Sequence, residues 1–507
     1  MVEGEESVSR VVWSCLSRAS DRNLERVWMG TPYAPDTWQA RSKQERSEKC
    51  ETARERVCFW RAERVGRPSH HLSHRSPEPQ SAACVCAMGA KPSALARAEN
   101  ELLRSGVQWY SWYTQKANNS SEKTTNGLEK AKALSFKARD VPIGEEQLIH
   151  TVEYSKADES NTDKDGLPIV CMHGFGTGVG IYYAALPALA DRWAGKVFAI
   201  DTLGCALSSR PRWRLGHGSS CKVSDAEDFF VDGVERWRAA MKIEKMVLMG
   251  HSLGGYLAVA YAEKYAERVD RLVLVSAVGT PPPPPELAEK HANAPLAFRM
   301  VLSAWANGWS PFTVAKLGLG DTMMTRYVSM RFSEASWVKK PELKSYLLGS
   351  WTDGPNSAGG YAHATLLQPG GVGELAYART PMGASRIPSL KVRRLSAIYG
   401  ERDWMDWRNM AAVRKQMERD AISGPQIEIL HVADANHNVQ VDNPLGFVDA
   451  VMATCDGEDG VRDDARRDGL RSGANKKGSA DGQMFGRRYY AEDRAREEAE
   501  EPASPRI

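Results

Sequence analysis

The stretch Met246-Val247-Leu248-Met249-Gly250-His251-Ser252-Leu253-Gly254 decides the fold. Its first part is apolar and short, as a buried strand is, and Leu253 to Tyr265 has the texture of a helix. Between them Gly250-His251-Ser252-Leu253-Gly254 makes a sharp strand-to-helix turn of small residues. Such a turn pushes the Ser252 hydroxyl out above the end of a parallel strand. Gly250 and Gly254 let the backbone bend and let strand and helix approach closely. The pentapeptide alone recurs by chance, so its weight comes from the strand before it, the helix after it, and the partners further along.

Outward from this turn, short apolar runs alternate with helical ones. Leu148–Tyr154 alternates in the manner of an early antiparallel strand, and Pro168–Met172 and Val197–Ile200 are buried strands. Helices are expected over about Tyr182–Trp193 and Asp225–Met241. After the turn come strands Leu272–Val275, Leu395–Tyr399 and Ile427–Leu430, then a helix from Pro444 to Met452. This predicts an α/β architecture, a mostly parallel eight-stranded sheet flanked by helices. The five prolines Pro281–Pro285 stop the alternation, since proline can sit in neither a helix interior nor a central strand. They open an insertion over 280–386, read as a helical lid and rich in Trp305, Trp309, Phe312, Met323, Met324, Trp337 and Trp351, with a helix over Lys339–Trp351.

The flanks differ in texture. Residues 1–90 hold neither period and read as a poorly ordered extension; 91–135 form an N-terminal helix and linker; 136–455 form the core domain; 456–507 are a charged tail expected to be disordered. Within 91–135, Leu95, Ala98, Leu102 and Leu103 share a helical face, and the aromatic cluster Gln108–Tyr113 is read as packing against the domain or a membrane interface. Asn118–Lys130 is the polar linker, and Asp163-Lys164-Asp165-Gly166 a turn.

The net charge of +3 makes no bulk case for nucleic acid. Nine scattered cysteines do not form a disulfide framework, and Cys84-Val85-Cys86 is too isolated for a zinc site, so no metal is expected. No apolar run reaches the roughly 18 residues of a membrane span. The N-terminus lacks a signal peptide's apolar core. It is Arg- and Ser-rich as transit peptides are, but Glu3, Glu5 and Glu6 argue against one. The location expected is cytoplasmic with peripheral membrane association, a mitochondrial or other organellar one being left open.

A serine hydroxyl needs a base, and that base needs an orienting carboxylate. Behind such an elbow they follow in the order Ser, Asp or Glu, His. Gly400-Glu401-Arg402-Asp403-Trp404-Met405-Asp406 follows the next-to-last strand, and Asp434-Ala435-Asn436-His437 the last. Both are strand C-terminal ends, where an open parallel sheet places its crevice. Asp403 is assigned as orienting acid, with Glu401 and Asp406 as alternatives, and His437 as base. For an oxyanion, His173-Gly174-Phe175-Gly176 follows the first parallel strand, and the Phe175 and Leu253 N–H groups are the candidate donors. His173 reads as a loop brace rather than a second base.

Several of these motifs together resemble a eukaryotic α/β-hydrolase subfamily of lipid enzymes. It includes N-acyl-phosphatidylethanolamine lipase, the lipid-droplet lipase coactivator, and lysophosphatidic acid acyltransferases. The resemblance runs from about Leu95 to Met452, on Met172–Gly178, Asp201–Gly204 with Ser208–Pro211, the elbow, Tyr399–Met405 and His437–Asp442. It implies a serine hydrolase acting on acyl esters of phospholipids or lysophospholipids through an acyl-enzyme, with no cofactor and a lipid substrate at a membrane or droplet surface. The His437-Asn438-Val439-Gln440-Val441-Asp442 spacing implies a variant, an acyl-CoA-dependent lysophosphatidic acid acyltransferase using His437 and Asp442. A plainer reading of Asp442, adopted here, is a carboxylate favouring the dipole of the helix that begins at Asn443-Pro444. The coactivator branch lacks the elbow serine, so the retained Ser252 argues against a non-catalytic lipid-surface adaptor held by Trp109, Trp112 and the lid.

Overall fold

The computed structural model describes residues 92–120, 134–156, 166–216, 220–309, 311–332, 338–352, 358–370, 376–454 and 489–491. The expected extension over 1–90, Cys84 and Cys86, most of the linker, Trp337 and the charged tail outside 489–491 lie outside these residues.

The chain enters through helix α1 (Ala94–Ser120), whose buried face carries Leu95, Ala98, Leu102, Leu103 and Tyr110, the spacing that puts side chains on one side of a helix. The Tyr110 hydroxyl donates to Asp191 at 2.9 Å, while Trp112 stays exposed. Strands β1 (Leu134–Pro142) and β2 (Leu148–Lys156) pair antiparallel. There follow β3 (Ile169–Met172), α2 (Leu186–Arg192), β4 (Val197–Ile200), α3 (Val223–Ala240), β5 (Met246–His251), α4 (Leu253–Lys264) and β6 (Val269–Val275). β1 is an addition to the sequence reading: Ser135, Lys137, Ala138 and Asp140 are exposed and only Val141 is buried, so it is a strand because it pairs with β2.

The insertion holds α5 (Leu287–Ala292), α6 (Leu296–Ala306), α7 (Pro311–Val314), α8 (Gly320–Arg331), α9 (Lys340–Thr352), α10 (Ala358–Leu366) and the short hairpin β7 (Leu367–Gln368) with β8 (Tyr377–Ala378). Helix α1 lies on α9, where Leu95 meets Gly349 so closely that a Cβ there would come within 3.1 Å of it. The sheet resumes after α11 (Arg386–Ser389) with β9 (Arg394–Gly400), α12 (Arg408–Arg419), β10 (Gln426–Val432), α13 (Val439–Asp442) and α14 (Pro444–Thr454).

Strand order is β1-β2-β4-β3-β5-β6-β9-β10, the last six neighbours parallel, which is the expected eight-stranded sheet. Among the described residues a ninth strand, β11 (Tyr489–Ala491), pairs antiparallel with β10 from within the stretch read as a charged tail. The central strands are buried on both faces. In β5, Met246 and Leu248 join the core under α3 and α4 with Phe230, Trp237 and Tyr261, while Val247 and Met249 join the core on the other face with Tyr182, Trp193 and Phe447. Each such side chain contributes roughly 1.5–3 kcal/mol of transfer free energy, so these strands anchor the loops at their C-terminal ends.

Candidate active site

Ser252 sits between β5 and α4 at φ 53, ψ −116, outside the ordinary basins for an L-residue. Neighbouring bonds hold it there: its N–H donates to Val275 O at 2.8 Å, and its carbonyl accepts from Gly255 N at 3.0 Å and Val278 N at 3.2 Å. The glycines are required by space. A Cβ on Gly250 would lie 2.2 Å from Gly254 O, and one on Gly254 would lie 2.5 Å from His173 O and 2.6 Å from Met172 O. β3, β5 and α4 are packed backbone against backbone at this corner.

Three loops converge on Ser252. Its hydroxyl donates to His437 Nε2 at 3.0 Å, and His437 Nδ1–H donates to Asp403 Oδ1 at 3.2 Å. The His437 and Asp403 side chains are 9% and 1% exposed, so the pair is shielded from water. Burial works to raise the Asp403 carboxyl, but the bond to His437, its charge and the Met405 N–H outweigh it, and the group is held below the usual carboxylate range. The alternatives face elsewhere: Glu401 Oε2 accepts from Asp434 N at 3.1 Å, and Asp406 Oδ1 from Arg408 N at 3.0 Å. The acid and base loops are themselves joined by Arg402 N donating to Ala435 O at 2.8 Å.

Two contacts at His437 have no counterpart in the sequence reading. The Trp404 ring stacks on the His437 imidazole at 4.3 Å and 23°. His251 Nε2–H donates to the His437 carbonyl at 2.9 Å, and burial followed by the nearby His437 pushes the His251 ring down to about 3, so it is neutral. Trp404 was visible only as part of a family motif, and nothing in the chain pattern pointed to His251 as a brace.

The loop after β3 runs against the nucleophile corner. A Cβ on Gly174 would stand 3.0 Å from Ser252 Cβ and 3.0 Å from His251 Nδ1. His173 is the brace expected: Nδ1–H donates to Gly174 O at 2.9 Å, Nε2 accepts from Thr202 N at 3.1 Å, and burial lowers the ring to about 4. Phe175 follows Gly174 in this loop, and Leu253 directly follows Ser252 as the first residue of α4. The insertion closes over this loop. Phe175 packs at 5.0 Å from Phe312 and 5.2 Å from His363, and Trp351 Nε1–H donates to Gly176 O at 2.6 Å. A narrow cleft between loop and insertion is lined by Cys205, Arg210, Phe312, Lys316, Trp351 and His363 among others.

Asn443 caps α14, its Oδ1 accepting from Gly446 N at 2.9 Å, while Asp442 Oδ2 takes Arg331 Nη2–H at 3.0 Å and Asn436 N–H at 2.9 Å. The cap at Asn443 is the one the sequence suggests, whereas the Arg331 and Asn436 partners of Asp442 are additions to that reading. Asp442 does not orient the imidazole, since His437 Nδ1 belongs to Asp403. Burial raises the Asp442 carboxyl against the opposing pull of Arg331.

Away from the site, Glu99, His150 and Asp201 bring possible ligand atoms within 4.8 Å of one another. His150 is bonded by Glu99 on Nε2 at 2.8 Å and by Asp140 on Nδ1 at 2.7 Å. Burial works to lower its ring, but these two bonds outweigh it and push it up to about 10. Through these bonds the cluster ties α1, which carries Glu99, to β1 and β2, which carry Asp140 and His150.

A family model described as the alpha/beta hydrolase fold matches residues 168–444, more than half the chain, with Ser252, Asp403, His437 and Asp442 inside it. The chain is 30% identical over 334 residues to a probable 1-acylglycerol-3-phosphate O-acyltransferase of Oryza sativa subsp. japonica, covering 62% of this chain and 74% of that one. It is 31% identical over 334 residues to a 1-acylglycerol-3-phosphate O-acyltransferase of Arabidopsis thaliana, covering 61% and 70%. It is 30% identical over 328 residues to the (lyso)-N-acylphosphatidylethanolamine lipase of Mus musculus, covering 64% and 88%. Fold, motifs and relatives agree: the chain belongs to the alpha/beta hydrolase fold family, within the group of lipid enzymes that its motifs resemble.

Proposed function

We propose that this protein is a serine hydrolase acting on acyl esters of phospholipids or lysophospholipids. The observation that carries the reading is the relay from Ser252 through His437 to Asp403 at 3.0 and 3.2 Å, on a chain whose relatives are named for acyl lipids. Ser252 Oγ attacks the acyl carbonyl as His437 Nε2 takes its proton, and Asp403 holds the imidazole by Nδ1–H. The N–H groups of Phe175 and Leu253 receive the oxyanion; one such donor contributes about 10²–10³ in kcat. His437 then protonates the departing lysolipid oxygen, leaving Ser252 acylated. The relay supplies nucleophile and base and calls for no metal or cofactor. No helix among the described residues is long and apolar enough to cross a membrane, and the exposed Leu296 and Leu317 of the insertion favour peripheral contact with a lipid surface.

A second reading shares the acyl-enzyme and differs in its acceptor: a lysophosphatidic acid hydroxyl takes the acyl group, with acyl-CoA as donor. The plant relatives' names favour it. The Asp442 contacts weigh against a His437/Asp442 pair, because that carboxylate is engaged by Arg331 and Asn436.

The experiment is product analysis on purified protein with labelled phospholipids and, in parallel, lysophosphatidic acid with labelled acyl-CoA. Free fatty acid is expected, with a loss of at least about 10³-fold in Ser252→Ala. A fluorophosphonate probe should label wild type and not Ser252→Ala. Labelled phosphatidic acid as the main product would replace hydrolysis with transfer, and a folded protein that takes no probe would leave the adaptor.

A further inference from the structure

We infer that Arg331, at the end of insertion helix α8, is a positioning residue for His437, held to it through Trp404 on one side and through Asp442 and Asn436 on the other. The inference rests on the triad reading and adds to it a part supplied by the insertion.

The geometry is a bracket around one imidazole. Arg331 Nη2–H donates to Asp442 Oδ2 at 3.0 Å, with the two side chains 9% and 10% exposed. The same oxygen accepts the Asn436 N–H at 2.9 Å, and Asn436 Oδ1 accepts the His437 N–H at 2.8 Å. Arg331 thereby grips the backbone at the base itself. Its guanidinium carbon also lies 5.5 Å from the Trp404 ring and 5.3 Å from Phe332, and Trp404 stacks on His437 at 4.3 Å. Trp404 follows Asp403 directly, so one cation joins the acid loop, the base loop and the insertion.

The chemistry needs such a bracket because a relay of this kind loses its rate when the base drifts by fractions of an ångström. A ring stacked between its acid partner's loop and a held backbone cannot tilt freely. The planar guanidinium suits both tasks, since it pairs with a carboxylate in its plane and lies over an aromatic face. A lysine keeps the charge and loses the plane. Removing the cation altogether leaves a buried carboxylate without its counter-ion, next to the residue that carries His437.

The test uses the full chain and Arg331→Met, Arg331→Lys, the double variant Arg331→Met with Asp442→Asn, and Asp321→Asn. Asp321 pairs with Lys344 at 2.8 Å on the outside of the insertion and serves as a control ion pair. Three quantities are read: kcat and KM on a soluble nitrophenyl ester, the melting temperature, and the rate at which diethyl pyrocarbonate modifies His437, followed by peptide mass spectrometry. Arg331→Met is expected to lower kcat by about tenfold or more with KM within about twofold, and Arg331→Lys to restore only part. The double variant should regain melting temperature but not kcat, Asp321→Asn should match wild type, and His437 should be modified faster once Trp404 is released. An unchanged kcat in Arg331→Met, or an unchanged His437 modification rate, overturns the inference. So does a double variant that regains kcat together with melting temperature, because Arg331 would then be only a counter-ion. Absence of ester turnover in wild type would count against the hydrolase reading instead, and the His437 modification rate still decides the role of Arg331.

Discussion

At Ser252 and its partners the functional reading depends on a few bonds, and the best-defined pH effect lies at a different residue. His150 is bonded by Glu99 and Asp140, and its ring is pushed up from 6.5 to about 10 against the opposing effect of burial. Its folded-state value is raised, so the imidazolium's contribution to stability is fully present below pH 6.5 and is lost as pH rises through about 10. Melting temperature measured between pH 6.5 and 10 should therefore fall. Replacing His150 and Glu99 together with glutamine should flatten that limb, and parallel curves for wild type and variant would show that the cluster is not its source. At this scale Ser252 and His437 were legible from motif and chain order, whereas the choice of Asp403 over Glu401 and Asp406 was an assignment among three nearby carboxylates. Only the bonds separate them: Glu401 turns to Asp434 N, Asp406 to Arg408 N, and Asp403 to His437.

Among the elements, the corner of β3, β5 and α4 is the most constrained. Gly254→Ala would put a Cβ 2.5 and 2.6 Å from two backbone carbonyl oxygens of β3 and its loop, which cannot move aside as a side chain would. It should destabilise the protein by about 1–3 kcal/mol or more, read by chemical denaturation. A neutral outcome would mean that the strand-to-helix packing is looser than described. The insertion is tied to the loop after β3 by Trp351 Nε1–H on Gly176 O, and Trp351→Phe removes that donor while keeping an aromatic ring. It should lower kcat through the mobility of Gly176 and Phe175, by about tenfold, and change melting temperature little. Equal losses of kcat and folded fraction would make Trp351 simply a packing residue. The central strands were legible because they are apolar runs bounded by turns; β1 and β11 were not, because edge strands among polar residues carry no pattern of their own.

Over the whole molecule, the insertion presents Leu296 and Leu317 at 71% and 55% exposure, large apolar side chains left outside the core. If they meet a lipid surface, replacing both with serine should weaken sedimentation with phospholipid vesicles and lower turnover of vesicle substrate. Hydrolysis of a soluble ester should stay as in wild type, and equal vesicle binding by both proteins would remove this face from the account. The sequence by itself determined the α/β class, the elbow and the order of the catalytic candidates. These depend on periodicity and turn chemistry, which act over a few residues and are written locally in the chain. The tertiary structure alone decided which carboxylate holds His437, that Asp442 pairs with Arg331, and that Trp404 lies on the imidazole. These partners come from segments far apart in the chain, brought together by the strand order β5-β6-β9-β10 and by the fold of the insertion above it. A side chain's partner is set by distance in space, and no local pattern encodes that distance.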